Sequence, residues 1–281
     1  MIQFSNVTKK YGKTLALDRI SLEIPESGIH CLLGRNGAGK TTFLKLLAGH
    51  IAVTDGDIEV DGRKVSPGHM PENVNFIENG SVQFNMKLMD LINTATELQD
   101  DFDRDFALEM ASRFELNLNK KFKQLSFGMK TMLNTIITLS NTTSIILLDE
   151  PTLGFDAIMR SQFNTLLLES YNAHPRVIIV STHLIDEIAK VTQRLIIIEQ
   201  GKILLEAGIE DIDEKAYTLS GQTNVIKPLL GGLNCIGKTE IGSLTAAHIY
   251  GDRITPPEGV QIDRMSLQDF FVNIVGGKSH E

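Results

Sequence analysis

The octapeptide Gly34-Arg35-Asn36-Gly37-Ala38-Gly39-Lys40-Thr41 constrains this chain more than any other stretch. Its glycines let the backbone curl until successive N–H groups converge on one anion. The lysine and hydroxyl that follow bring a cation and an oxygen ligand to the same place. An unbroken apolar run, residues 29–33, precedes the loop. Residues 41–48 follow, with Phe43, Leu44 and Leu47 on one side of a helix and Gly49 placed as its stop. A strand entering and a helix leaving set a positive helix end behind the anion. The pattern G-x-x-x-x-G-K-[ST] in that setting predicts a cradle for nucleotide phosphates. Lys40 is expected to reach the outer phosphates and the Thr41 hydroxyl to ligate Mg²⁺.

A second constellation lies about a hundred residues on. Residues 145–148 are all aliphatic and end in Asp149-Glu150. In phosphate-loop enzymes an Asp at such a strand end holds Mg²⁺, directly or through water, and the next carboxylate can orient or deprotonate the attacking water. Two acids capping a strand can also serve only solubility; the upstream loop favours the catalytic reading. His183 follows another apolar run, 177–181, and is placed to touch a γ-phosphate, although a lone histidine after a strand is weak by itself.

The rest of the chain reads as α/β. Runs 29–33, 145–148, 177–181 and 195–199 do not alternate, which suits parallel strands buried on both faces, and helical patterns at 41–48, 157–172 and 184–191 lie between them. Residues 2–25 suggest an antiparallel flap, and 86–139 an inserted helical subdomain. The acidic residues Asp100, Asp101, Asp103 and Asp105 within it read as a solvated turn and helix start. From about Asp213 the character changes and no further strand–helix alternation is evident. Ser266 with Asp269 nevertheless resembles a capping box, and Leu267, Phe270, Phe271 and Ile274 follow helical spacing. The expected division is 1–212, with a helical insertion at about 80–140, and a small packed α+β extension at 213–281.

A net charge of −8 argues against a nucleic-acid partner. Cys31 and Cys235 are too few for a disulfide framework, and Cys31 in its apolar run reads as a buried thiol. The first residues lack the pattern of a signal peptide, and no apolar run approaches the roughly 20 residues that cross a bilayer. Membrane association is therefore expected through a partner.

In order, these segments resemble the ATP-binding subunit of an ATP-binding cassette (ABC) transporter, from about Phe4 to Gly208. Leu125-Ser126-Phe127-Gly128-Met129 resembles the family's signature, usually L-S-G-G-Q, and lies ahead of the Asp149 strand. Leu153-Gly154-Phe155-Asp156 resembles the loop that crosses the family's dimer interface, and Tyr11 matches the aromatic that stacks on adenine. The resemblance implies a phosphate-loop ABC fold: a mostly parallel central sheet, an N-terminal antiparallel flap and a helical insertion. It implies ATP contacts from Tyr11, Gly34, Arg35, Asn36, Gly37, Ala38, Gly39, Lys40, Thr41 and Thr42, with Glu150 and His183 catalytic. Ser126 and Gly128 would contact the γ-phosphate held by an opposite subunit, so that ATP joins two cassettes and hydrolysis releases them. Implied partners are a second ATP-binding subunit and a transmembrane permease subunit, at the cytoplasmic face of the membrane.

The departures carry information too. Phe127 and Met129 replace the commoner Gly and Gln, and the L-S-x-G-M form resembles a subgroup of bacterial exporters with C-terminal extensions. The glutamine expected after the strand at 74–77 is replaced by Glu78 or Asn79; either can reach Mg²⁺ or a bound water, and Glu78 would add negative charge beside the phosphates. The side chain of Arg35 is expected to point away. Met86, Leu88, Met89, Leu91 and Ile92 form either a groove for the membrane partner or ordinary core. The alternatives are a soluble ABC-type ATPase, which predicts long coiled-coil insertions, paired cassettes or a basic groove, and a non-catalytic nucleotide sensor, which predicts loss of Glu150 or His183. None of these features is visible.

Overall fold

The computed structural model describes residues 1–25, 27–78 and 84–276. Strands β1 (Ile2–Tyr11) and β2 (Thr14–Ile24) form a hairpin, and β3 (Gly28–Leu33) leads through the glycine loop into α1 (Lys40–Leu47). Next come β4 (Asp55–Val60), β5 (Arg63–Lys64) and β6 (Val74–Glu78), then helices α2 (Leu88–Leu98), α3 (Arg104–Arg113) and α4 (Phe127–Leu139). Strand β7 (Ile145–Asp149), helix α5 (Ala157–Ala173), strand β8 (Val177–Thr182), the single turn α6 (Ile185–Ile188), β9 (Arg194–Glu199) and β10 (Lys202–Gly208) complete the first part. The remainder is α7 (Ile209–Lys215), β11 (Ala216–Gln222), α8 (Thr223–Leu229), β12 (Cys235–Ile241), β13 (Leu244–Tyr250), β14 (Gln261–Arg264) and α9 (Leu267–Gly276).

The central sheet runs β10-β9-β3-β8-β7-β6, parallel except for β10. Both of its faces are covered. Cys31, Leu33, Ile146, Leu148 and Ile178 pack towards the helices, whereas Leu32, Ile145, Leu147 and Ile179 pack under α1 and the antiparallel sheet β2-β1-β4-β5. That double burial is why the strand sequences do not alternate. Burial pushes the Cys31 thiol up to about 12, so this cysteine is an inert core group.

Helix ends follow local chemistry. Gly49, at φ +72°, closes α1: its N–H bonds Leu46 O, and that of His50 bonds Lys45 O. Asp103 caps α3 by accepting the Phe106 N–H at 2.9 Å, as the acidic turn foretold. The stripe near 86–92 divides: Leu88, Leu91 and Ile92 enter the core while Met86, beside Phe84, stays exposed. The helix expected over 184–191 shrinks to α6, because bonds from Val191 and Thr192 to Ile188 O close the turn early.

Beyond residue 213 the chain forms more regular structure than its glycines suggest. An antiparallel sheet, β12-β13-β11-β14, packs α8 on one face and α9 towards the main core on the other. The expected seam at 212–213 falls inside α7. Ser266 caps α9 as its sequence suggests, accepting the Asp269 N–H at 3.0 Å.

One buried cation ties the helical layer to the sheet. Arg176, ahead of β8, donates to Asn141 O (2.5 Å), Leu139 O (2.8 Å) and Ser170 Oγ (2.5 Å), and burial lowers its pKa to about 10. It thereby serves carbonyls at the negative end of α4. Arg176→Met should lower stability by about 3 kcal/mol in urea unfolding, because those buried carbonyls lose charged donors. Arg176→Lys should recover only part, since one ammonium cannot span the same acceptors.

Candidate functional site

Parallel register builds the site. Glu78 pairs with Asp149, Asp149 with Ser181, and Leu33 with Thr182, so the ends of β6, β7, β8 and β3 stand side by side. This is the carboxyl edge of the sheet, where α/β proteins bind ligands.

The glycine loop springs from β3. Gly37 and Gly39 have φ of +83° and +114°, a region that disfavours side chains. A Cβ on Gly39 would stand 2.8 Å from Ala16 O. Gly39 is also the N-cap of α1 and brings no side chain to cap it, which leaves the helix start turned to the loop. Arg35 and Asn36 are exposed, in keeping with an Arg35 side chain directed away. Lys40 is buried; its Nζ donates to Gly34 O at 2.8 Å and pairs with Glu150 Oε1 at 3.2 Å.

Asp149 is held on both oxygens. Thr41 Oγ1 donates to Oδ2 at 2.7 Å and Ser181 Oγ to Oδ1 at 2.5 Å. Ser181 Oγ also accepts the Glu150 N–H at 3.1 Å. Glu150 itself adopts φ +48°, an uncommon conformation for a non-glycine residue. Its Oε2 lies 3.0 Å from His183 Nδ1, so Lys40, Glu150 and His183 form one continuous polar chain. At the end of β6, Glu78 pairs with Lys45 of α1 at 2.8 Å, so its charge is locally compensated. Asn79 lies outside the described residues.

Two members of this site were not singled out from the sequence. Ser181 is recognisable only once the register sets it beside Asp149. Lys45 faces Glu78 only because α1 packs against the sheet.

The remaining candidates lie on other segments of the chain. Tyr11 is half-exposed at the end of β1, with Lys9 Nζ 5.0 Å from its ring centroid. Ser126 caps α4, accepting the Met129 N–H at 3.2 Å. Leu125 is buried, Met129 packs against the core and Phe127 is 46% exposed. Asp156 caps α5 by accepting the Met159 N–H at 2.8 Å. Gly128 lies so near Gly154 that an added Cβ would sit 2.6 Å from Gly154 O. A Cβ on Gly154, at φ +84°, would in turn meet the Phe127 ring at 2.5 Å. Gly128→Ala should therefore cost about 1–3 kcal/mol in urea unfolding, because backbone must give way.

A phosphate cradle, a hydroxyl–carboxylate pair and a carboxylate–histidine pair on one sheet edge define a phosphate-loop nucleoside triphosphatase. Comparison with known proteins narrows the class. The ABC transporter family model matches residues 17–153. The lantibiotic transport ATP-binding protein SrtF of Streptococcus pyogenes is 31% identical over 219 residues, which is 76% of this chain and 95% of SrtF. The bacitracin transport ATP-binding protein BcrA of Bacillus licheniformis is 25% identical over 305 residues, covering 99% of this chain and 98% of BcrA. The fold matches a dimeric ATP-binding cassette solved in a post-hydrolysis state with ADP and Pi, with a TM-score of 0.64 at 24% identity, covering 74% of this chain and 99% of that one. The chain belongs to the ABC transporter family, as an ATP-binding and ATP-hydrolysing subunit. Such a subunit pairs with a second cassette and powers a separate transmembrane permease. Among the described residues, no helix is long and apolar enough to cross a membrane.

Proposed function

We propose that this subunit hydrolyses ATP with the row of residues at the carboxyl edge of its central sheet, and that the transporter it drives is an exporter. Lys40 and the loop from Gly34 to Thr42 hold the phosphates, and Tyr11 stacks on adenine. Glu150 orients or deprotonates the attacking water, and His183 contacts the γ-phosphate. Ser126 and Gly128 complete the site of a second cassette, with Asp156 at the interface between them.

The observation that carries this reading is the chain Lys40–Glu150–His183, with contacts of 3.2 and 3.0 Å. A phosphate arriving at Lys40 competes with Glu150 for the ammonium. The carboxylate then turns to a water, still oriented by the imidazole. Binding and activation are coupled through one shared cation.

Thr41 and Asp149 fit Mg²⁺. They are hard oxygen donors already 2.7 Å apart, and among the described residues no three His, Cys, Asp or Glu side chains form a separate metal cage. Mg²⁺ takes few protein ligands and completes its shell with water and phosphate oxygens, neutralising charge on the phosphates. Ser181 keeps the Asp149 carboxylate oriented for this role. Glu78, paired with Lys45, and Asn79 are the two candidates for the position of the family's glutamine.

Export is supported by the Leu125–Met129 sequence and by relatives named for lantibiotic and bacitracin transport. The cassette sits at the cytoplasmic membrane face, where ATP is supplied.

Glu150→Gln should retain ATP without cleaving it and elute as a stable ATP-dependent dimer in size-exclusion chromatography. Undiminished phosphate release from this variant would exclude Glu150 from its role. Lys40→Ala should lose binding in a fluorescent-ATP titration; retained micromolar affinity would count against the cradle.

A further inference from the structure

The C-terminal region is built against the helical turn that follows His183. Helix α6 is a single turn, Ile185–Ile188, and a lone turn has no stability of its own because helix nucleation is unfavourable. Its position is set by what packs on it. The contacting elements include α5 and β3 from the ATPase part and α9 from the C-terminal region. Ile185 and Ile188 are buried in the same apolar cluster as Met265, Phe270, Phe271 and Val275. His183 lies two residues ahead of this turn, its Nδ1 3.0 Å from Glu150 Oε2.

Helix α9 has two working stripes. Phe270 meets Tyr250 of β13 edge to face at 5.0 Å, and Asn273 fills the space beside Gly237 of β12. That stripe holds α9 to its own sheet. Leu267 and Phe271, one turn apart, lie on another stripe. With Met265, Leu267 lines a cleft whose other wall is Ala189 and Lys190, the residues directly after α6. The start of α9 is fixed by the Ser266 cap, and β14 is tied to α7 by the Arg264–Asp213 ion pair. The region is thus an abutment behind α6 rather than a pendant tail.

We propose that α9 is a positioning element for His183. By wedging α6 it sets where the imidazole stands relative to Glu150, so the rate of ATP hydrolysis depends on how the C-terminal region docks. This rests on the role proposed above for His183.

A double-mutant cycle in the full chain tests the idea, with folding of each variant checked by circular dichroism. Phe271→Ala should lower kcat about tenfold and leave KM for ATP within about twofold, since displacement rather than ground-state binding is affected. Phe271→Leu should keep most activity. In a His183→Ala background the Phe271→Ala change should add no further loss, because its effect runs through the missing imidazole. Leu267→Ala gives the same pattern in weaker form and serves if Phe271→Ala does not fold. Equal fractional losses with and without His183, or unchanged kcat in folded Phe271→Ala, would overturn the proposal. Wild-type kcat in His183→Ala alone would instead remove the role of His183, and this inference with it.

Discussion

The structure depends on the alignment of parallel strands across one sheet. Because β6, β7, β8 and β3 run the same way in fixed register, residues far apart in sequence become neighbours at one edge. A slip of one residue in β7 would take Asp149 out of line with Ser181 and put Leu148 or Glu150, according to its direction, in its place. Double burial of the sheet opposes such a slip. The same aliphatic side chains that fill the core therefore fix the chemistry at its rim.

Charge at that rim is arranged in opposed pairs rather than as isolated ions. Lys40 answers Glu150, and Lys45 answers Glu78. Both lysines come from α1, so this helix supplies cations to two strand ends as well as its own positive terminus. In the proposed cycle the incoming phosphate enters a network that is already balanced, and it acts by redistributing partners. Glu78, which with Asn79 is a candidate for the place of the family's glutamine, has its charge met locally by Lys45.

Local features of the sequence were legible where contiguous residues do the work. The glycine loop, the Asp149-Glu150 strand end, the Ser266 helix start and the buried strands all declare themselves within a few positions. What escaped was long-range partnership. Ser181 beside Asp149 and Lys45 beside Glu78 arise from packing of separate elements. The strands after residue 213 were also hidden, because β13 mixes Thr245, Ala246, Ala247 and His248, and β12 carries Gly237 and Lys238, in place of a strong aliphatic pattern. The α6 turn was overestimated for a related reason: residues 189–191 have helical composition, yet bonds to Ile188 O end the turn.

The contact between Gly128, in the first turn of α4, and Gly154, in the turn before α5, constrains both segments. A Cβ on Gly128 would meet Gly154 O and a Cβ on Gly154 would meet the Phe127 ring, so neither position takes a side chain without moving the other segment. The Phe127 ring fills the hollow over Gly154, a space that stays open only while that position bears no side chain.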